Sequence, residues 1–140
     1  MTLAVPVVIL YSIAGAVALP YIPAFVMAYG RFQVGMDLAA PRAMFDRLPP
    51  YAQRATWAHQ NGFEAAIVYI PAALMAYIVG VDSLGAAAGA IAFLVARLLH
   101  TVFYVANIPV GRSLMFGIGT ACSLTLYILS LLNVGSIFVD

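Results

Sequence analysis

The chain has 140 residues, 65% of them hydrophobic and only 8% charged, with a mean hydropathy of +1.04 and a formal net charge of +1. So oily a composition excludes an ordinary soluble domain, and near neutrality, with six arginines and no lysine, leaves no basic surface to attract nucleic acid. The sequence reads as an all-α membrane protein with a single domain over residues 1–140.

A spanning helix needs about 20 apolar residues. Four stretches provide them, at approximately 3–29, 51–79, 84–106 and 113–134. The first begins "MTLAVPVVILYSIAGAVALPYIPAF"; with no early positive charge and too long an apolar run for a signal peptide, it is read as a helix. Pro20, Pro23 and Pro71 lie inside apolar runs, where a kink is expected. The only long connection, "GRFQVGMDLAAPRAMFDRLPP", carries loop-forming Gly, Asp and Pro. It is expected along the membrane surface, with Phe32, Met36 and Phe45 dipping in. The other connections are tight, which predicts a four-transmembrane-helix up-down bundle.

Arg31, Arg42, Arg47 and Arg54 lie in or beside the first connection and Arg112 just after the third, whereas the second holds only Asp82 and the C-terminus only Asp140. The positive-inside rule then puts the first and third connections in the cytoplasm and both termini outside. In "GAAAGA" at the start of the third span, Gly85 and Gly89 stand one turn apart, which suits close helix packing within a subunit or between subunits. Cys122 is read as a small packed side chain.

The informative residues are polar ones inside the spans. An arginine at the centre of a spanning helix costs about 2.5 to 3.5 kcal/mol on insertion scales. Arg97 lies about 15 Å along its helix from Asn107, too far to snorkel. His100 and Tyr104 follow Arg97 at i+3 and i+7, so the three share about 60° of arc. On the second span Arg54 and Asn61 nearly eclipse one another, with Glu64 one turn further on and His59 turned to the other side. Glu64 could neutralise Arg97 or Arg54 in a structural salt bridge. Three arginines (Arg54, Arg97 and Arg112) against one acid still leave an excess of positive charge, which calls for an anionic ligand bearing carboxylates or a thiolate. No metal site is predicted.

"RATWAHQNGFE" and "FLVARLLHTVFYVANIPVGRSLMF" resemble the two signatures of the MAPEG family, the membrane-associated proteins in eicosanoid and glutathione metabolism. The first matches an arginine preceding A-x-x-N-x-x-E; the second matches an arginine, an aromatic or histidine at i+3, a tyrosine at i+7 and a further arginine where the fourth helix begins. The resemblance is closest to bacterial members related to microsomal glutathione transferases, which implies a bacterial inner-membrane protein. It also implies a homotrimer that binds glutathione as co-substrate between subunits, together with a lipophilic small-molecule substrate or a lipid. Carried over residue by residue, Arg54, His59, Asn61 and Glu64 contact glutathione from the second helix, and Arg97, His100 and Tyr104 from the third. Arg31 is a weaker candidate. Arg112 matches the arginine credited with activating the thiol. A free thiol titrates at about pH 8.5, and a cation within ~4 to 6 Å lowers an acid's pKa by roughly 1 to 3.

The sequence departs from the family at three places: Trp57 stands where many members carry a second arginine, Ala65-Ala66 replace larger residues, and His100 replaces a tyrosine of the leukotriene-forming branch. The resemblance implies a glutathione-dependent transferase or peroxidase, and as the alternative a non-enzymatic lipid-binding protein of the same fold. A channel fits poorly, because the outer halves of the helices offer few polar residues.

Overall fold

The computed structural model describes residues 4–137; Leu3, at the predicted start of the first helix, and Asp140 lie outside them. Five α-helices account for the four spans: α1 (Val5–Ala18), α2 (Tyr21–Gln33), α3 (Pro50–Ile78), α4 (Leu84–Val105) and α5 (Pro109–Ile137). Each span is long and apolar enough to cross a membrane. The chain is thus a multi-pass four-helix membrane bundle.

The expected first span of 3–29 is two helices rather than one kinked rod. Pro23 has no N–H to offer the Leu19 carbonyl, which accepts from Ile22 N instead (3.1 Å). The joint is nevertheless well held. Pro20 is buried against Gly62 of α3, where a Cβ would come within 3.0 Å of the Pro20 Cβ. The His59 Nδ1–H donates to the Pro20 carbonyl at 2.7 Å, satisfying a backbone group next to the break.

The last span starts four residues earlier than expected, at Pro109 rather than residue 113. Proline suits a first helical turn because its missing N–H would have had no intrahelical partner. Ahead of it, Asn107 adopts φ 60°, a left-handed conformation that asparagine tolerates well. With Ile108 N bonded to Phe103 O (2.8 Å), it closes α4 and reverses the chain in a few residues. Gly80 (φ 68°) does the same between α3 and α4, where Val81 N bonds to Ala76 O at 2.9 Å.

Small residues let the backbones approach: Ala72, Ala73 and Ala76 of α3 and Ala86 and Ala90 of α4 are fully buried. Of "GAAAGA", Ala86, Ala87 and Ala90 are buried and Ala88 is exposed, while a Cβ on Gly89 would meet nothing within 4 Å. At the centre the Tyr69 and Phe93 rings stack at 3.7 Å, and the Tyr69 hydroxyl meets the Ser12 hydroxyl at 2.5 Å. Cys122 packs against this core, as the sequence suggests.

The long connection is ordered. Asp37 Oδ1 accepts from Ala39 N (2.9 Å) and Ala40 N (3.2 Å), Arg47 Nη2 donates to Val34 O (3.1 Å), and Gln53 Nε2 donates to Leu48 O (3.1 Å). Tyr51 hydrogen-bonds to Gln33 across its two ends. Met44 and Leu48 are the buried anchors of this segment, and Phe45 packs on Trp57 at 5.4 Å.

Candidate functional site

Six of the predicted polar residues fall into two adjoining groups between α3, α4 and α5; Arg54, His59 and Arg31 lie outside both. The first group is centred on Arg97, which is only 5% exposed. Its Nη2 donates to Asn61 Oδ1 at 2.7 Å and to the Asn61 carbonyl at 3.2 Å. Asn61 Nδ2 in turn donates to Glu64 Oε2 at 3.5 Å. Asparagine therefore stands between the guanidinium and the carboxylate, where the sequence suggested a direct salt bridge. The arrangement leaves Glu64 exposed on the face of α3. Gly119 of α5 makes room for Arg97, since a Cβ there would lie 3.3 Å from Arg97 Cδ.

A cavity of about 250 Å³ opens onto this group. Asn61, Glu64, Arg97 and Thr120 give it a polar end, and Val68, Phe93 and Phe116 an apolar wall. Such a cavity suits a ligand with charged groups at one end and a compact body.

The second group follows one turn and more along α4. The ring of His100, 2% exposed, meets the Tyr104 ring edge-on at 5.5 Å, and the Phe116 ring lies 6.5 Å away. The Nδ1 of His100 is buried without a hydrogen-bond partner among the described residues. Arg112 lies over the Tyr104 ring, 4.5 Å from its centroid, in a cation–π contact. The α4–α5 turn sets this up: Gly111 packs so close to Phe103 that a Cβ would come within 2.7 Å of its ring. Arg112, the next residue, is thereby folded back over α4. It sits in the first turn of α5, where the positive end of the helix dipole adds to its own charge and favours an anion.

Arg54 donates from Nε to the Val105 carbonyl at 2.9 Å, tying the start of α3 to the end of α4. His59 is separate. It faces the α1–α2 joint, edge-on to Phe63 at 5.1 Å, and lines a different cavity together with Arg31. The sequence reading did not single out Asn107, Gly111, Phe116 or Gly119. The first two carry a local signal, an Asn-to-Pro stretch closing a helix and a Gly before Arg112 in "ANIPVGR". Phe116 and Gly119 carry none, because their neighbours come from another helix.

The fold and this site define a four-helix integral membrane protein with an arginine-centred polar site buried within its spans. The model of the MAPEG family matches residues 8–132, and the chain belongs to that family. No curated protein and no solved structure matches it.

Proposed function

We propose that the protein binds glutathione as co-substrate and activates its thiol against lipophilic electrophiles or hydroperoxides that arrive from the bilayer, in the manner of a microsomal glutathione transferase of bacterial type. The observation that carries this reading is the convergence of Arg97, Asn61 and Glu64 with His100, Tyr104 and Arg112 along one α3–α4–α5 seam. Glutathione offers two carboxylates, an ammonium group and a thiol. Arg97 and Arg54 suit the carboxylates and Glu64 the ammonium, while Arg112 lies beside the thiol and stabilises its anion.

In the transferase reaction the thiol proton goes to solvent, the thiolate sulfur attacks the electrophilic carbon, and the leaving group departs with the bonding pair. In the peroxidase reaction two glutathione molecules are oxidised to the disulfide while a hydroperoxide is reduced to an alcohol and water. The nucleophile comes with the co-substrate, so Cys122 need take no part.

The active assembly on this reading is a homotrimer in the bacterial inner membrane, with both termini outside the cytoplasm. His59 lies on the far face of α3 from Asn61, so it would reach a bound glutathione only on a neighbouring copy. The apolar wall of the Arg97 cavity, made by Val68, Phe93 and Phe116, also suits the alternative, a protein of the same fold that holds lipid without turnover.

Calorimetric titration of glutathione into detergent-purified protein, with S-methylglutathione as control and absorbance followed near 240 nm, separates the two. Binding with a rise in thiolate absorbance is the expected result. No binding at millimolar glutathione would overturn the glutathione reading in favour of the lipid-binding one.

A further inference from the structure

Pro20 opens a gap in the backbone ladder of the first span. Residue 20 has no N–H, so the Ala16 carbonyl loses the donor that an unbroken helix would give it. Two neighbouring amides are already used: Leu19 N bonds to Gly15 O (2.9 Å) and Ile22 N to Leu19 O (3.1 Å). Ala16 is only 3% exposed, and inside a bilayer no bulk water can take the missing donor's place. A cavity of about 10 Å³ lies at this gap, lined by Ala16 and Pro20 at the break, by Gly62 of α3 and by Arg97 and Thr101 of α4. That is room for a single water, and so narrow a space sets each lining residue beside its occupant.

Three polar groups meet at this cavity. Both Nη2 hydrogens of Arg97 go to Asn61, at 2.7 and 3.2 Å, which leaves its Nε–H and Nη1 hydrogens for other acceptors. The Thr101 hydroxyl donates to Arg97 O at 3.1 Å and keeps lone pairs with which to accept. The Ala16 carbonyl needs a donor. We propose that the cavity holds one ordered water, which accepts from the Arg97 guanidinium and donates to the Ala16 carbonyl and to the Thr101 hydroxyl oxygen. Three hydrogen bonds are the usual complement of a buried water, and ordered waters are one of the means by which spans re-satisfy groups that proline frees. The proline break thereby becomes a support for the buried arginine: the carbonyl that Pro20 frees draws the water in, and the water ties the guanidinium to α1. His59 satisfies the Pro20 carbonyl at the same break. The water lies outside the cavity of about 250 Å³ that opens beside Glu64, so its presence does not depend on the glutathione reading.

A crystal structure of the full chain, at a resolution that shows ordered waters, tests this directly. A single peak is expected in the cavity, about 2.7–3.2 Å from an Arg97 nitrogen, the Ala16 oxygen and Thr101 Oγ1. Thr101→Val keeps the shape of the side chain and removes one partner, so the peak should lose at least about half of its occupancy while Arg97 and Asn61 stay paired. A cavity closed by a direct hydrogen bond from Arg97 to the Ala16 carbonyl would overturn the proposal, as would a water bonded to Arg97 alone or a peak unchanged in Thr101→Val. If Thr101→Val fails to fold, the wild-type peak and its three distances decide the question.

Discussion

Substituting Asn61 by alanine tests how Arg97 is held inside the membrane. The change removes the 2.7 Å acceptor of the guanidinium and leaves the 3.2 Å contact to the residue 61 carbonyl, which any side chain preserves. Hydrogen bonds to charged groups contribute about 1.5–3 kcal/mol in soluble proteins, whereas side-chain contacts measured within membrane bundles average about 0.6 and reach about 1.7. Arg97 is 5% exposed, which argues for the upper part of the membrane range. The surviving carbonyl and the nearby Glu64 carboxylate pull the figure down. The expected loss is about 1 kcal/mol, read as equilibrium unfolding by dodecyl sulfate in mixed micelles.

A double-mutant cycle isolates the contact. Arg97→Met keeps the length of the side chain and removes its charge, so Asn61→Ala should cost little in that background. A coupling of about 1 kcal/mol is expected between the two sites. A value under about 0.3–0.5 kcal/mol, the scatter seen for independent sites, would refute the view that Asn61 positions Arg97. On the proposed function the same displacement of Arg97 weakens glutathione binding about fivefold, the equivalent of 1 kcal/mol, in the calorimetric titration.

Arg112→Ala should abolish the thiolate absorbance near 240 nm while the unfolding midpoint stays close to wild type, since the side chain lies over the Tyr104 ring at the end of the bundle; an unchanged signal would remove Arg112 from its proposed role. Gly111→Ala places a Cβ 2.7 Å from the Phe103 ring, an overpacking cost of about 1–3 kcal/mol against a helix-propensity gain of up to about 1, so both stability and the thiolate signal should fall, with Phe103→Leu restoring them. His59→Ala leaves the Pro20 carbonyl without its side-chain donor at the α1–α2 break and should cost about 1–2 kcal/mol in the same unfolding assay, with His59→Gln recovering part of it.

Legibility in the sequence followed the range of the interaction. Arg97, His100 and Tyr104 share one helix, so their spacing alone placed them on one stripe, and the His100–Tyr104 ring contact follows from it. The proximity of Asn61 and Glu64 was readable in the same way. Which of the two would meet Arg97 was not, because charge pairing favours the carboxylate while the rotation of α3 against α4 presents the amide. The break at Leu19 and Pro20 was half legible: proline signalled a bend, yet the completed break depends on His59 and Gly62, some forty residues away, to satisfy and receive it. The early start of α5 was hidden because Arg112 reads as the polar edge of the span, although Pro109 marks the first helical turn.

The dozen residues "RATWAHQNGFEA" do more than one job because a helix displays them in opposite directions. Asn61 and Glu64 turn toward α4 and α5, while His59 turns toward the α1–α2 joint. In a lone copy the first direction ends badly: Glu64 is exposed on a spanning helix, and an acid facing lipid at mid-span costs about 2.5 to 3.5 kcal/mol on insertion scales. Tightening the fold cannot remove that cost, since Asn61 already occupies the space between Glu64 and Arg97. A covering protein surface can. The proposed homotrimer supplies one, and it explains why an apolar chain would keep a histidine on one face of α3 and a carboxylate on the other. Each copy would close its neighbour's cavity with the face that its own site leaves unused.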